Sequence, residues 1–153
     1  MKITKLGHSC LLIEEKNTRI LIDPGIFAPQ ANLLRSIGAI LITHEHSDHL
    51  NIDLLKEILE NNPQAKIFTN TSVGALLTEV AIPFNTLEGV QMFDVNEVSV
   101  KSFTVNHTLL HSSVPPIKNT AYFIANRLFY PGDTLLDPQE PVEILALPVA
   151  GPW

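Results

Sequence analysis

Hydrophobic positions along the chain fall into two regimes. As far as about residue 80, short apolar runs alternate with stretches of helical spacing; from Thr86 onward the pattern is one of alternate residues. Residues 3–6, 10–14 and 18–23 read as strands, with Glu15-Lys16-Asn17 as the turn between the last two. The third of these thickens toward full burial in Ile20-Leu21-Ile22 and stops at Asp23-Pro24-Gly25, a strand end followed by a turn. Residues 30–37 are expected to form a short helix with Leu33, Leu34 and Ile37 inward, ended by Gly38. A buried strand at 39–42 follows. Asn51 is placed to cap a helix over 52–61, whose Asp53 suits its positive end and whose Leu55, Ile58 and Leu59 form one stripe.

After a strand at 66–69, Thr71 or Ser72 is expected to cap a second helix running to about Val80, with Val73, Leu76, Leu77 and Val80 inward. The later half reads as strands at 90–93 and 98–105, a hairpin of 120–125 and 127–130 around Asn126, and a final apolar strand at 142–149. A change of face between Val100 and Phe103 predicts a bulge. Strands and helices in alternation, then strands alone, imply an α/β layered fold. No repeat, biased tract or linker divides the chain, so a single domain over 1–153 is expected.

Composition narrows the function classes. With 45% hydrophobic and 17% charged residues, the chain can bury a core. No apolar run reaches the roughly 20 residues of a bilayer helix, and residues 1–7 lack the apolar stretch of a signal peptide; a cytoplasmic protein with no membrane partner is the expectation. A formal charge of −6, with its ten basic residues scattered, argues against a nucleic-acid partner held through phosphates. Cys10, the one cysteine, sits among Leu11, Leu12 and Ile13 and reads as a small core residue rather than a nucleophile.

The chemistry is concentrated in Thr43-His44-Glu45-His46-Ser47-Asp48-His49-Leu50, directly after the strand at 39–42. Residues two apart on extended backbone share a face, so His44 and His46 converge on one point, while a turn at Ser47 re-aims Asp48 and His49 at a neighbouring one. Such a layout suits two metals, since imidazole and carboxylate are the donors preferred by zinc and the adjacent transition metals. The bland alternative, a polar loop capping a helix, needs only one capping residue. His107 and Asp133 also stand where strands stop. If those ends share one edge, His107 joins His44 and His46, and Asp133 bridges to Asp48 and His49. His8, in Gly7-His8-Ser9, is either structural or beside the leaving group. Asp23 either caps its own turn or orients a ligand from behind. The loop 108–119 is long enough to overhang the site; His111 in it replaces His107 as ligand or touches substrate, as does Lys118.

These motifs, in this order, resemble the metallo-β-lactamase superfamily, in the branch similar to the ascorbate-6-phosphate lactonase-like hydrolases. The resemblance implies an αββα sandwich with its metals at one edge of the two sheets. It implies His44, His46 and His107 at a first metal, Asp133 as the bridging carboxylate, and Asp48 and His49 at a second. It implies one or two Zn2+ ions, with Mn2+ or Fe as substitutes, and a small-molecule ester, lactone or phosphodiester cleaved by a metal-bound hydroxide that Asp48 orients and whose proton it accepts once the hydroxide has added. Family members carry a further helix and strand after 142–149 that brings a last histidine to the second metal; here no histidine lies beyond His111. The expectation is therefore a sandwich incomplete at its C-terminus, a shortened chain or one whose terminal edge is covered by another copy, with the second metal held less tightly. Two rivals remain: a non-catalytic metal-binding or assembly module, and redox chemistry with iron.

Overall fold

The computed structural model describes residues 1–108 and 116–149. Three antiparallel strands, β1 (Lys2–Gly7), β2 (Cys10–Glu15) and β3 (Thr18–Ile22), open the first sheet. β4 (Ala39–Leu41), β5 (Lys66–Thr69) and the short β6 (Asn85–Thr86) extend it in parallel, in the spatial order β1-β2-β3-β4-β5-β6. The crossovers carry α1 (Ile52–Asn61) and α2 (Thr71–Glu79) onto one face, where Leu54, Leu55, Ile58, Val73 and Leu77 pack on Cys10, Leu12, Leu21, Ile40 and Ile42. The other face of the same strands is equally apolar. Leu11, Ile13, Ile20, Ile22 and Leu41 meet the second sheet, which explains why these strands read as continuous rather than alternating runs.

That second sheet runs β11-β10-β9-β8-β7, from β7 (Val90–Val95), β8 (Val98–Asn106), β9 (Lys118–Ile124), β10 (Leu128–Tyr130) and β11 (Ile144–Leu145). Val98, Val100, Tyr122 and Ile124 face the first sheet, while Phe103, Phe123 and Phe129 point outward beneath Leu136 and Val142. The layers are thus helix, sheet and sheet, and among the described residues no helix covers the outer face. No helix there is long and apolar enough to cross a membrane.

Several local expectations are corrected. Residues 30–37 form only a 3-10 turn over Pro29–Leu33; Leu33 is 71% exposed, and Ser36, at φ 59°, turns the chain so that the Ile37 amide can donate to Asn62 Oδ1. α2 is capped by Asn70, whose Oδ1 accepts from the amides of Ser72 and Val73, and Leu76 faces solvent. No bulge separates Val100 from Phe103, because pairing runs unbroken from β7 to β9 through β8, with Val100 buried on the inner face and Phe103 on the outer. The run 142–149 pairs only at Ile144 and Leu145, against β10, and among the described residues no strand lies on its far side to hold the rest.

Candidate metal centre

The block 43–50 leaves the end of β4 between two anchors. Asp23, at the end of β3 and fully buried, accepts from the Thr43 amide through Oδ1 (2.8 Å) and from the Thr43 hydroxyl through Oδ2 (2.8 Å). At the end of the block, the amides of His49 and Leu50 both donate to the His46 carbonyl, a tight turn that hands the chain to α1 through the Asn51 cap.

Two clusters of donor atoms result. In the first, His44, His46, His107 and Asp133 place one ligand atom each within 4.8 Å of the others. His44 Nε2 lies 3.0 Å from His46 Nδ1, and Asp133 Oδ2 lies 3.5 Å from His107 Nε2 and 4.0 Å from His44 Nε2. Four donors at about 2.0–2.1 Å around a tetrahedral zinc would stand about 3.3 Å apart, so the observed spacing fits an ion with only small adjustment. The backs of the rings agree. The Thr43 hydroxyl gives its proton to Asp23, so it must accept one from His44 Nδ1 (2.9 Å), and His107 Nδ1 donates to the Thr108 carbonyl (2.6 Å). Both tautomers turn Nε2 inward.

The second cluster contains His8, Asp48 and His49. Asp48 Oδ2 lies 2.9 Å from His8 Nε2 and 3.9 Å from His49 Nε2. His49 Nδ1 donates to Asp23 Oδ2 at 2.7 Å, which again leaves Nε2 directed at the cluster. Asp133 stands between the two groups, with Oδ2 on the first and Oδ1 3.5 Å from His49 Nε2.

Charge follows this geometry. Burial, reinforced by the neighbouring His49, His46 and His107, pushes His44 far below the ordinary imidazole range and keeps it neutral, as a ligand must be. His49 is pulled down by burial, but Asp23, Asp133 and Asp48 together overcome this and raise it. Burial acts to raise Asp133, yet the adjacent His107 and His49 lower it on balance, so the carboxyl stays ionised. Cys10 is fully buried and pushed up to about 12, chiefly by burial and then by the charge of Asp23, so it is an inert core thiol.

Every described residue singled out from sequence lies in or beside this centre except Lys118, which begins β9 with Nζ 3.6 Å from Glu88. His111 lies outside the described residues. Sequence reading passes over the roles of four supports. Asn119, on β9, donates to the Pro131 carbonyl and accepts from the Asp133 amide, holding the turn that aims the carboxylate. Gly132 sits in that turn at φ 63°, and a Cβ there would lie 2.4 Å from Asn119 Oδ1. Asn70 donates to the Thr43 carbonyl while capping α2, and Tyr130 Oη lies within 2.9 Å of Asp23 Oδ2. A polar residue at the end of an apolar strand is the signal available for Asn119 and Asn70, while Tyr130 and Gly132 stand in the turn motif that carries Asp133.

The Beta-lactamase superfamily domain profile matches residues 2–153. A Mycobacterium tuberculosis protein is 37% identical over 158 residues, covering all of this chain and 73% of its own length. A metal-dependent hydrolase of Nanoarchaeum equitans is 28% identical over 141 residues, covering 89% of this chain and 61% of its own. Among solved structures, the metallo-beta-lactamase fold protein YhfI from Bacillus subtilis superposes with a TM-score of 0.69 at 14% identity, over 91% of this chain and 62% of that one. Igni18, a metallo hydrolase from Ignicoccus hospitalis, gives 0.64 at 19% identity, over 90% and 62%. CmlA, a diiron beta-hydroxylase from Streptomyces venezuelae, gives 0.69 at 18% identity, over 89% and 30%. The chain thus spans less than two thirds of the length of these solved relatives. Layer order, the donor residues of the block and the profile match converge: this chain belongs to the beta-lactamase superfamily.

Proposed function

We propose that the chain is a metal-dependent hydrolase acting on a small-molecule ester, lactone or phosphodiester, with zinc as its metal. The observation that carries this reading is Asp133, whose two oxygens address two separate donor clusters. A pair of cations, when bound, supplies an acidified water as nucleophile and positive charge for the oxygen of the scissile group. The chain supplies the rest. Asp48, between His8 and His49, is placed to orient the attacking water and take its proton. Asp23 and Thr43 lock the histidine tautomers from behind. A cavity of about 650 Å³ opens onto the site, with His46, His107 and Asp133 at one end and aliphatic walls from Ile3, Leu11 and Leu128.

Stripping metal with a chelator and restoring zinc tests the proposal, with a chromogenic phosphodiester and a lactone as substrates. Turnover should vanish and return with two equivalents. Two other readings predict different results. Leu145, Leu147 and Val149, in and just after β11, are 52%, 53% and 86% exposed, which favours an assembly module in which a second copy covers that edge; it would bind one ion or none and turn over neither substrate. Imidazole and carboxylate also suit iron, and one fold neighbour is a diiron beta-hydroxylase; oxygen uptake by the iron-loaded chain, without hydrolysis, would favour that chemistry.

A further inference from the structure

We propose that His8 is a ligand of the second metal, so that the β1–β2 turn completes that site from within this chain. The proposal rests on the two-metal reading above and adds one residue to it. Among the described residues, the second cluster without His8 offers Asp48, His49 and a share of Asp133; with it, the donors number four, to which a water can add as a fifth, as catalytic zinc sites allow.

The turn bearing His8 is held against the metal block at several points. Ser9 Oγ donates to the Asp48 carbonyl at 2.7 Å, and Tyr130 Oη lies 2.8 Å from the Ser9 carbonyl. Gly7, at φ 150°, lies so close to the next turn that a Cβ would come 2.2 Å from the Phe27 carbonyl. His8 itself takes φ 40°, a region side chains seldom enter, and this conformation swings its ring toward Asp48. The ring is then fixed by Phe27, at 5.4 Å between centroids, and by the edge of His49 at 5.9 Å. A surface ion pair would be a weak reason for this arrangement, since the His8 and Asp48 side chains are 36% and 30% exposed and such pairs contribute little. Ligation accounts for it, and the same exposure leaves a coordination position open to water or substrate.

Cobalt titration of the metal-free full chain, carbon-13-labelled in its histidine rings, gives the test. The wild type should bind two ions and show contact-shifted rings for His44, His46, His107, His49 and His8. His8→Asn should bind the second ion more than about 100-fold more weakly, beyond the usual cost of losing an outer hydrogen-bond partner. At saturating cobalt it should lack one shifted ring while the first ion binds as before. A wild type with two ions whose affinities and shifted rings, His8 excepted, are unchanged by His8→Asn, and whose His8 ring carries no contact shift, overturns the proposal alone. A wild type holding one ion that His8→Asn leaves unaffected overturns it together with the two-metal reading. One ion weakened by His8→Asn would also overturn the proposal, leaving His8 as a ligand of a single ion and no second site. Circular dichroism of the variant confirms that the hairpin still folds.

Discussion

The two halves of the metal centre use the same side-chain chemistry on different supports. In the first cluster His44 is fully buried and His107 is 6% exposed, both of these rings are pinned by a hydrogen bond behind them, and half-buried His46 and Asp133 complete the set from the chain that follows β4 and β10. In the second only His49 is buried; Asp48 and His8 stand on turns, partly in water. A cluster built on strand ends is organised before the ion arrives, so it should bind first and tightly. One assembled by turns must be drawn together by its ion and should bind second. Asp133 belongs to both, and Asp23 supports mainly the second.

The largest effect should come from breaking the part they share. Asp133→Asn keeps the size of the side chain and the backbone bond from the Thr108 amide, but a neutral amide is a poor bridge between cations. Both ions and turnover should each fall by more than about 100-fold, with the circular dichroism unchanged. If only one ion is lost, the carboxylate is not shared and the division into two clusters must be redrawn.

Asp23→Asn should separate the halves. Asp23 touches His49 directly and reaches His44 only through the Thr43 hydroxyl. The second ion should therefore weaken by about 10–100-fold and the first by much less. Equal losses in a two-ion titration would erase the distinction. Thr43→Val then probes the link between them. It leaves the proton of His44 Nδ1 without its buried acceptor, so the metal-free fold should lose about 1–3 kcal/mol in denaturant midpoints, and the first ion should suffer more than the second.

Which half could be read in the sequence follows from the same contrast. His44, His46, Asp48 and His49 were visible because they stand together in a few residues; His107 and Asp133 because each follows an apolar strand. The role of His8 depends on where a turn lies relative to a block forty positions away, which no local pattern records. Asn119 and Asn70 act by bonding to carbonyls of other elements, and their neighbours in sequence give no hint of those partners. The apolar run 142–149 failed as a strand for a related reason. Hydrophobicity marks a run expected to be buried, and here much of it lines the cavity, partly exposed, rather than pairing.

Cys10 offers the gentlest test of the contrast. It begins β2 opposite Gly7, at the base of the turn carrying His8, and it is buried with its thiol pushed up to about 12. At pH 8 the folded thiol is protonated and shielded, so alkylation by iodoacetamide must wait for the hairpin to open. An ion held by His8, Asp48 and His49 binds only the closed hairpin and opposes that opening. With metal at ten times the second-site dissociation constant, the closed state gains roughly 1.4 kcal/mol and alkylation should slow about tenfold. His46→Ala, which damages the first cluster, should retain most of this protection, whereas His8→Asn should lose it. Protection that survives His8→Asn would mean that the ion steadies the hairpin through the buried cluster, and the two halves would then be one cooperative unit.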